Sequence, residues 1–383
     1  MRINRNDRGW SFAVLSGQAG FDALRPRWQT LVDRLPGASY LQQPGWIGSH
    51  LAAVPERASG LCFVVASRAQ AVGAVLVLRR VGGLRSWVLP ALEMVTGGHL
   101  VLADLVADPD DHSLWPAMRE WLAEQPAGLR WAVLRLPAVS AGSAMGHALR
   151  QSMQTPGTGR DLRTHRDHSA WLDCSQDVAC ATQAVTRSFR QNLNRLQRRA
   201  QAMGDLRFEV VQTPDALGAA LDEFLGVESS GWKRTCGTAI ALDPTLVAFY
   251  RQLVQEFGAR GHCRIHLLRL DGRAIAAQFG LVSARQLNLL KIGYSEEHAC
   301  VAPGHLVMRH TIEHVCADST LDRLSFVTHP NWSHLWKPQL TEVDYISLFP
   351  PTVTGRITHA LSAWWQEQRH RKVETTAPGL AQA

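Results

Sequence analysis

Apolar residues in this chain follow two periods. A spacing of two marks half-buried strands, a spacing of three to four marks amphipathic helices, and the two alternate in an order that occurs twice. In the first half SFAVL (11–15) predicts a strand and FDALRPRWQTLVDRL (21–35) a helix, with a second short helix at 45–51. LCFVVA (61–66) and AVGAVLVLRR (71–80), β-branched and apolar, predict a hairpin. WPAMREWLAE (115–124) predicts a helix and LRWAVLRL (129–136) a closing strand.

The second half repeats that order. RFEVVQ (207–212) predicts a strand, PDALGAALDEFL (214–225) a helix, and LVAFYRQLVQEFGARG (246–261) a helix with a glycine stop. CRIHLLRLDGRAIAAQFGLV (263–282) predicts a hairpin turning at Asp271–Gly272. ARQLNLLKIGY adds a strand, PGHLVMRHTIEHVC a helix, and LDRLSFV (321–327) the closing strand. FDAL at Phe21 answers PDAL at Pro214, and an insertion near 231–240 explains a small offset between the hairpins. The chain therefore reads as an internal duplication. The expected domains are 1–153 and 169–350, joined by a linker at 154–168 rich in glycine and turn formers. A helix and a fraying tail follow at 351–383.

Composition narrows the class. A length of 383 residues exceeds one comfortable core, and 46% hydrophobic with 19% charged residues describes a folded chain. The best candidate for a membrane span, LCFVVASRAQAVGAVLVLRR, is interrupted by Arg68 and Gln70. MRINRNDRGW has charge without an apolar core behind it, so no secretory signal is expected. Seven cysteines, scattered and without a CxxC pair, argue against a disulfide scaffold or a cysteine zinc site and fit a reducing cytoplasm. The formal charge of +7 favours an anionic partner: nucleotide phosphates, a phosphopantetheine carrier, tRNA or anionic lipid.

HTIEH (310–314) has the letters of a zinc helix. On a helical wheel, however, Met308, Ile312, Val315 and Cys316 form the buried stripe, and His310, Glu313 and His314 fall on the opposite side. The pair is expected on a solvated or domain-facing side, and no metal site is assigned. In RSFRQNLNRLQRRAQAMG (187–204), Arg187, Arg190, Arg195 and Arg198 lie opposite Phe189, Leu193, Leu196 and Ala200. Charged stripes are ordinarily just solvated. Here 187–202 contains no Asp or Glu, so the arginines also suit phosphates. No GxSxG elbow, Walker loop or GxGxxG fingerprint occurs, and GTGRDL at Gly157 fails after its second glycine.

The element order resembles that of the Gcn5-related acyltransferase (GNAT) fold. The implied class is α+β, with tandem GNAT-like domains whose mixed central sheets are flanked by helices. Several segments together resemble the CelD-like acetyltransferase family, double GNAT-fold proteins related to Fem-type aminoacyltransferases. These segments are 187–204, ESSGWKRTCGTAI (228–240), DGRAIAAQFG (271–280), KIGYSEEHACVAPGHLV (291–307) and WKP (336–338). The likeness covers roughly 21–337. This chain departs from the family at SFVTHPNWSHLWK, where an Asp–Phe–Gly-like turn and a Tyr–Lys pair are usual, and at Ala302, where Ser is usual before Pro–Gly.

The resemblance implies an N-acyltransferase whose donor is acyl-CoA or an acyl carrier protein, with no tightly bound cofactor. The acceptor would be a small-molecule or saccharide amine. The loop Ala302, Pro303, Gly304 and His305 would take the donor phosphates, since Pro303 suits a first helical turn and Gly304 allows close approach. Acyl transfer to an amine needs a base, an acid and stabilised charge. Glu228, Tyr294, His329 and Lys337 are the catalytic candidates, and Trp232, Lys291 and Trp336 the substrate-binding ones. The matching loop of the first half, 106–112, is acidic and would repel a pyrophosphate. Two other functions fit the same letters: aminoacyl transfer from tRNA, and an inactive scaffold in envelope polysaccharide synthesis.

Overall fold

The computed structural model describes residues 4–5, 9–35, 37–82, 89–95, 104–153, 160–230 and 237–376. The chain opens with β1 (Asn4–Arg5), β2 (Ser11–Ser16), α1 (Gly17–Val32) and α2 (Pro44–Ala53). Strands β3 (Leu61–Arg68), β4 (Ala71–Val81), β5 (Ala91–Met94) and β6 (Val106–Ala107) follow. Next come α3 (Leu114–Ala123), β7 (Val133–Ser140), α4 (Ala144–Met153) and β8 (Arg160–Asp173). The second series runs α5 (Val178–Ala181), α6 (Arg187–Met203), β9 (Leu206–Val211), α7 (Pro214–Glu228) and α8 (Pro244–Gly258). It continues through β10 (Cys263–Leu270), β11 (Arg273–Ser283), β12 (Gln286–Tyr294), α9 (Pro303–Ala317) and β13 (Arg323–Ser325). β14 (Gln339–Phe349) and α10 (Val353–Thr376) close it.

The chain forms two compact units, one from 1–35, 57–167 and 342–383, the other from 36–56 and 168–341. In unit 1 the strand order is β1-β2-β3-β4-β5-β7-β14, with β6 also on β4. Among the described residues only β5 and β7 pair in parallel, through Ala91↔Val133 and Leu92↔Leu134. In unit 2 the order is β8-β13-β12-β11-β10-β9, and again one pair is parallel, β12 with β13. Each unit is thus a mixed sheet with helices packed on it, and the order read from the sequence recurs in the two halves of the chain, although α2 of the first half lies in unit 2.

The unit 1 core gathers Phe12, Leu76, Trp115, Met118, Trp121, Leu134 and, from β14, Ile346 and Leu348. Unit 2 buries Leu193, Leu287, Leu289, Met308, Ile312 and Trp336 in one cluster and Leu196, Ala200, Leu268, Leu306 and Val307 in another. Each buried Leu, Ile, Val, Phe or Met side chain among these stabilises the fold by roughly 1.5–3 kcal/mol.

Three segments depart from the sequence reading. Residues 342–350, expected in the second domain, lie in unit 1. Residues 160–168, assigned to a linker by their turn formers, are the first part of β8. Its charges are balanced by a neighbouring strand: Arg166 pairs with Glu342 at 2.8 Å and Asp344 at 3.1 Å, and Arg163 with Asp344 at 3.1 Å. Local composition cannot report partners that are distant in sequence. Residues 36–56 belong to unit 2 although they lie in the first half of the chain. There Trp46 meets Phe249 of α8 at 5.4 Å, and the Tyr40 amide donates to Ser283 Oγ at 2.9 Å.

Candidate active site

The site is built where β12 leaves β13. Their parallel ladder consists of Gln286↔Arg323, Leu287↔Leu324 and Asn288↔Ser325, and then stops. Opposite β11, Phe279 pairs with Lys291 and Gly280 with Leu289, so Leu290 is an extra residue, a β-bulge. From the bulge on, β12 has β11 on one edge and no ladder partner on the other among the described residues.

The bulge sets which way each side chain points. Lys291 lies opposite Phe279, whose ring meets Phe224 of α7 at 6.0 Å and Tyr250 of α8 at 5.1 Å, so Lys291 shares the α7–α8 face. Gly293 shares it too. A Cβ there would lie 2.7 Å from Glu228 Cα, so the missing side chain lets the end of α7 close on the strand. Glu228 is buried, and its Oε2 accepts from the Ile240 amide at 2.9 Å. Burial, then the nearby Glu228 charge, pushes the Tyr250 phenol well above its ordinary range.

Tyr294 lies on the other face, opposite Ala276, which packs with Leu306 and Val307 of α9. It is 38% exposed, and a Cβ on Gly304 would be 3.4 Å from its ring. The end of β12 and the start of α9 are therefore adjacent. Ala302, the residue before α9, has φ 47° and ψ 58°, a left-handed conformation that costs an alanine free energy. Pro303 has no N–H to place, and the His305 and Leu306 amides return to the Ala302 carbonyl at 2.9 and 3.3 Å. The Gly304 amide is left without a partner among the described residues, at the positive end of the α9 dipole.

His305 points into an aromatic cluster. Its ring is 5.4 Å from Phe189 of α6 and 6.2 Å from Trp336, and Phe189 and Trp336 are 5.3 Å apart. Burial, with a smaller contribution from His334, holds the His305 imidazole below its ordinary pKa. Trp336 is buried, its indole N–H has no partner among the described residues, and it lines a cavity of about 170 Å³. Leu193, Ile312 and Val185 supply apolar walls, and Arg190, Arg309 and Asn194 a polar side.

The structure thus joins Tyr294 to Gly304, His305 to Trp336, and Glu228 to the Lys291 face of β12. His329 and Lys337 are exposed, Lys337 at φ 51°. No hydrogen bond, ion pair or ring contact among the described residues links His329 to Glu228, Tyr294 or Lys337. Trp232 lies outside the described residues. Sequence reasoning missed Phe189, which it assigned only to a buried face, and the bulge. The bulge had a signal: Leu289–Leu290 breaks the alternation of LNLLKIGY.

The histidines of HTIEH, expected on a solvated or domain-facing side, are half-buried against strands of their own unit's sheet. His310 Nδ1 is 3.0 Å from Glu313 Oε2, and its ring stacks on Phe208 at 5.3 Å. His314 meets the fully buried His266 at 5.7 Å. The wheel misplaced them because a broad sheet covers more of a helix than its apolar stripe. β9 and β10 reach past Met308 and Ile312 to the flank.

On α6 the wheel holds. Leu193, Leu196 and Ala200 are buried, whereas Arg187, Arg190, Arg195, Arg198 and Arg199 are exposed, with no ion pair among the described residues.

Residues 187–334 match the acetyltransferase (GNAT) domain family. The matched segment contains β12, its bulge, α9 and β13, and lies within unit 2. Among solved structures, FemX aligns over 88% of this chain and 98% of its own, with TM-score 0.57 and 11% identity. L-PGS from Bacillus licheniformis aligns over 91% and 98%, with TM-score 0.53 and 12% identity. The C-terminal domain of a putative lysylphosphatidylglycerol synthetase from Agrobacterium fabrum aligns over 88% and 95%, with TM-score 0.52 and 13% identity. At such identities the likeness is one of fold. No protein of curated function matches the chain in sequence.

Proposed function

We propose that the chain is an N-acyltransferase whose GNAT domain takes an acyl group from a thioester, acyl-CoA or an acyl carrier protein, and gives it to an amine. The observation that carries this reading is the opening between β12 and β13, with the α9 N-terminus at its far end. A pantetheine arm carries two amides and can pair with the open edge of β12 as an added strand would. Its phosphates then meet the Gly304 amide and the α9 dipole. The cavity beside Trp336 is placed to take apolar parts of the donor.

In the transfer, the amine nitrogen attacks the thioester carbonyl, the C–S bond breaks, and the thiolate takes a proton. Tyr294, half-exposed beside Gly304, is the acid for that proton. Lys291 and Glu228 share the opposite face, where a cationic acceptor would meet the buried carboxylate and lose its proton towards it. His329 and Lys337, exposed after β13, would contact the acceptor as it enters. Within this class the motifs resemble the CelD-like acetyltransferases, which favours an amine on an envelope saccharide.

A second reading, aminoacyl transfer from tRNA, is favoured by the exposed arginine face of α6, which forms no ion pair among the described residues, and by the fold shared with FemX. One calorimetric titration separates the two, using acyl-CoAs of increasing chain length with an acyl carrier protein and a tRNA alongside. Saturable binding of a CoA thioester is expected. Gly304→Trp should weaken it at least about tenfold, roughly 1.4 kcal/mol, while Gly304→Ala should not, since its Cβ makes an ordinary contact. Binding of tRNA alone, lost in Arg190→Ala with Arg198→Ala, would assign the second reading. Binding of none of the three would leave a scaffold in polysaccharide assembly.

A further inference from the structure

Helix α10 turns an apolar stripe to solvent. Val353 is 73% exposed, Ile357 51%, Leu361 47%, Trp364 52% and Trp365 61%. At 3.6 residues per turn these positions share one side, and most of the large apolar side chains exposed among the described residues are on this helix. The helix is nonetheless anchored in unit 1 by its other side. The His359 ring meets Phe349 at 5.1 Å, Thr358 is buried, and Gln366 Nε2 donates to the Arg163 carbonyl at 2.8 Å. The stripe is therefore the outer face of a seated helix.

Charge selects what covers it. Arg356 precedes the stripe's centre and the sequence RHRK (369–372) follows it, against Glu367 and Glu374 alone. Two copies of α10 packed stripe to stripe would juxtapose their 369–372 segments if parallel and leave them at opposite ends if antiparallel; neither arrangement neutralises the basic charge, so a second copy is disfavoured. A surface that is apolar just beneath an anionic layer answers both features. Paired tryptophans suit that boundary, where the ring is buried and the N–H stays wet. No helix among the described residues is long and apolar enough to cross a membrane, and α10 would lie in the plane of the surface. We propose that α10 is a membrane-surface helix that seats unit 1 on an anionic lipid bilayer.

The test is co-sedimentation of the full chain with vesicles of phosphatidylcholine alone and of phosphatidylcholine with phosphatidylglycerol. Pelleting with the anionic vesicles is expected, and it should weaken as salt is raised. Trp364→Ser with Trp365→Ser, and separately Arg371→Glu with Lys372→Glu, should each weaken it about tenfold or more. Melting followed by circular dichroism should be unchanged for the tryptophan variant, because its side chains are exposed. Hydrogen exchange over 353–368 should slow when anionic vesicles are added. Pelleting with neither vesicle, equal pelleting with both, or full binding by the tryptophan variant would overturn the proposal. So would a dimer that this variant abolishes while vesicles have no effect.

Discussion

Gly293 and Gly304 lie near each other in the chain and answer to different constraints. At Gly293 the neighbour is backbone: an added Cβ would lie 2.7 Å from Glu228 Cα and 3.0 Å from its nitrogen. Neither atom can yield without moving α7. Gly293→Ala should therefore destabilise the protein by about 1–3 kcal/mol, read as a lower denaturant midpoint at unchanged slope. At Gly304 the neighbour is the Tyr294 ring at 3.4 Å, and alanine fits. The Pro303–Gly304 pair was legible because its chemistry is local. Gly293 carried no such mark, since its constraint comes from a helix far away in sequence. Trp336 was legible as a candidate, but its cluster with Phe189 and His305 joins three separate segments and could not be read from any of them.

At the scale of elements, α9 shows why a helical wheel reads the centre of a buried face better than its edges. Met308, Ile312 and Val315 are buried as expected, but the His310 and His314 flank is covered by β9 and β10. The consequence is a pH dependence. Burial, with the His314 and Arg264 charges, lowers His266 to a pKa of about 3, and burial also lowers His305 and His314. A base whose pKa is lowered by folding is neutral when folded and takes up a proton when unfolded. Stability is then complete above the unfolded value near 6.5 and is lost as pH falls from there towards about 3. His266 alone should cost about 1.4 kcal/mol per pH unit in that window. Urea unfolding at neutral and mildly acidic pH should give a shallower loss for His266→Leu than for wild type. β8 teaches the complementary lesson: a polar strand gives no hydrophobic alternation, and only the Glu342 and Asp344 carboxylates explain its arginines.

At the scale of the molecule, the two units do not divide the chain at one point, because 36–56 packs in unit 2. Trp46 is 2% exposed, with rings of Tyr40 at 4.9 Å and Phe249 at 5.4 Å. Trp46→Ala should cost about 3–5 kcal/mol. Hydrogen exchange should show the opening in α8, which is distant in sequence, rather than in α1, which is near. The sequence by itself determined the order of elements, the duplication, the basic stripe of α6 and the helix start at Pro303–Gly304. All of these depend on periodicity or on the conformational limits of single residues, and both act over a few positions. Tertiary structure alone decided the opening of β12 from β13, the packing of 36–56 in unit 2, the cover over His310 and His314, and the exposed side of α10. Each is a matter of which surface meets which, and that is settled by packing between segments far apart in the chain.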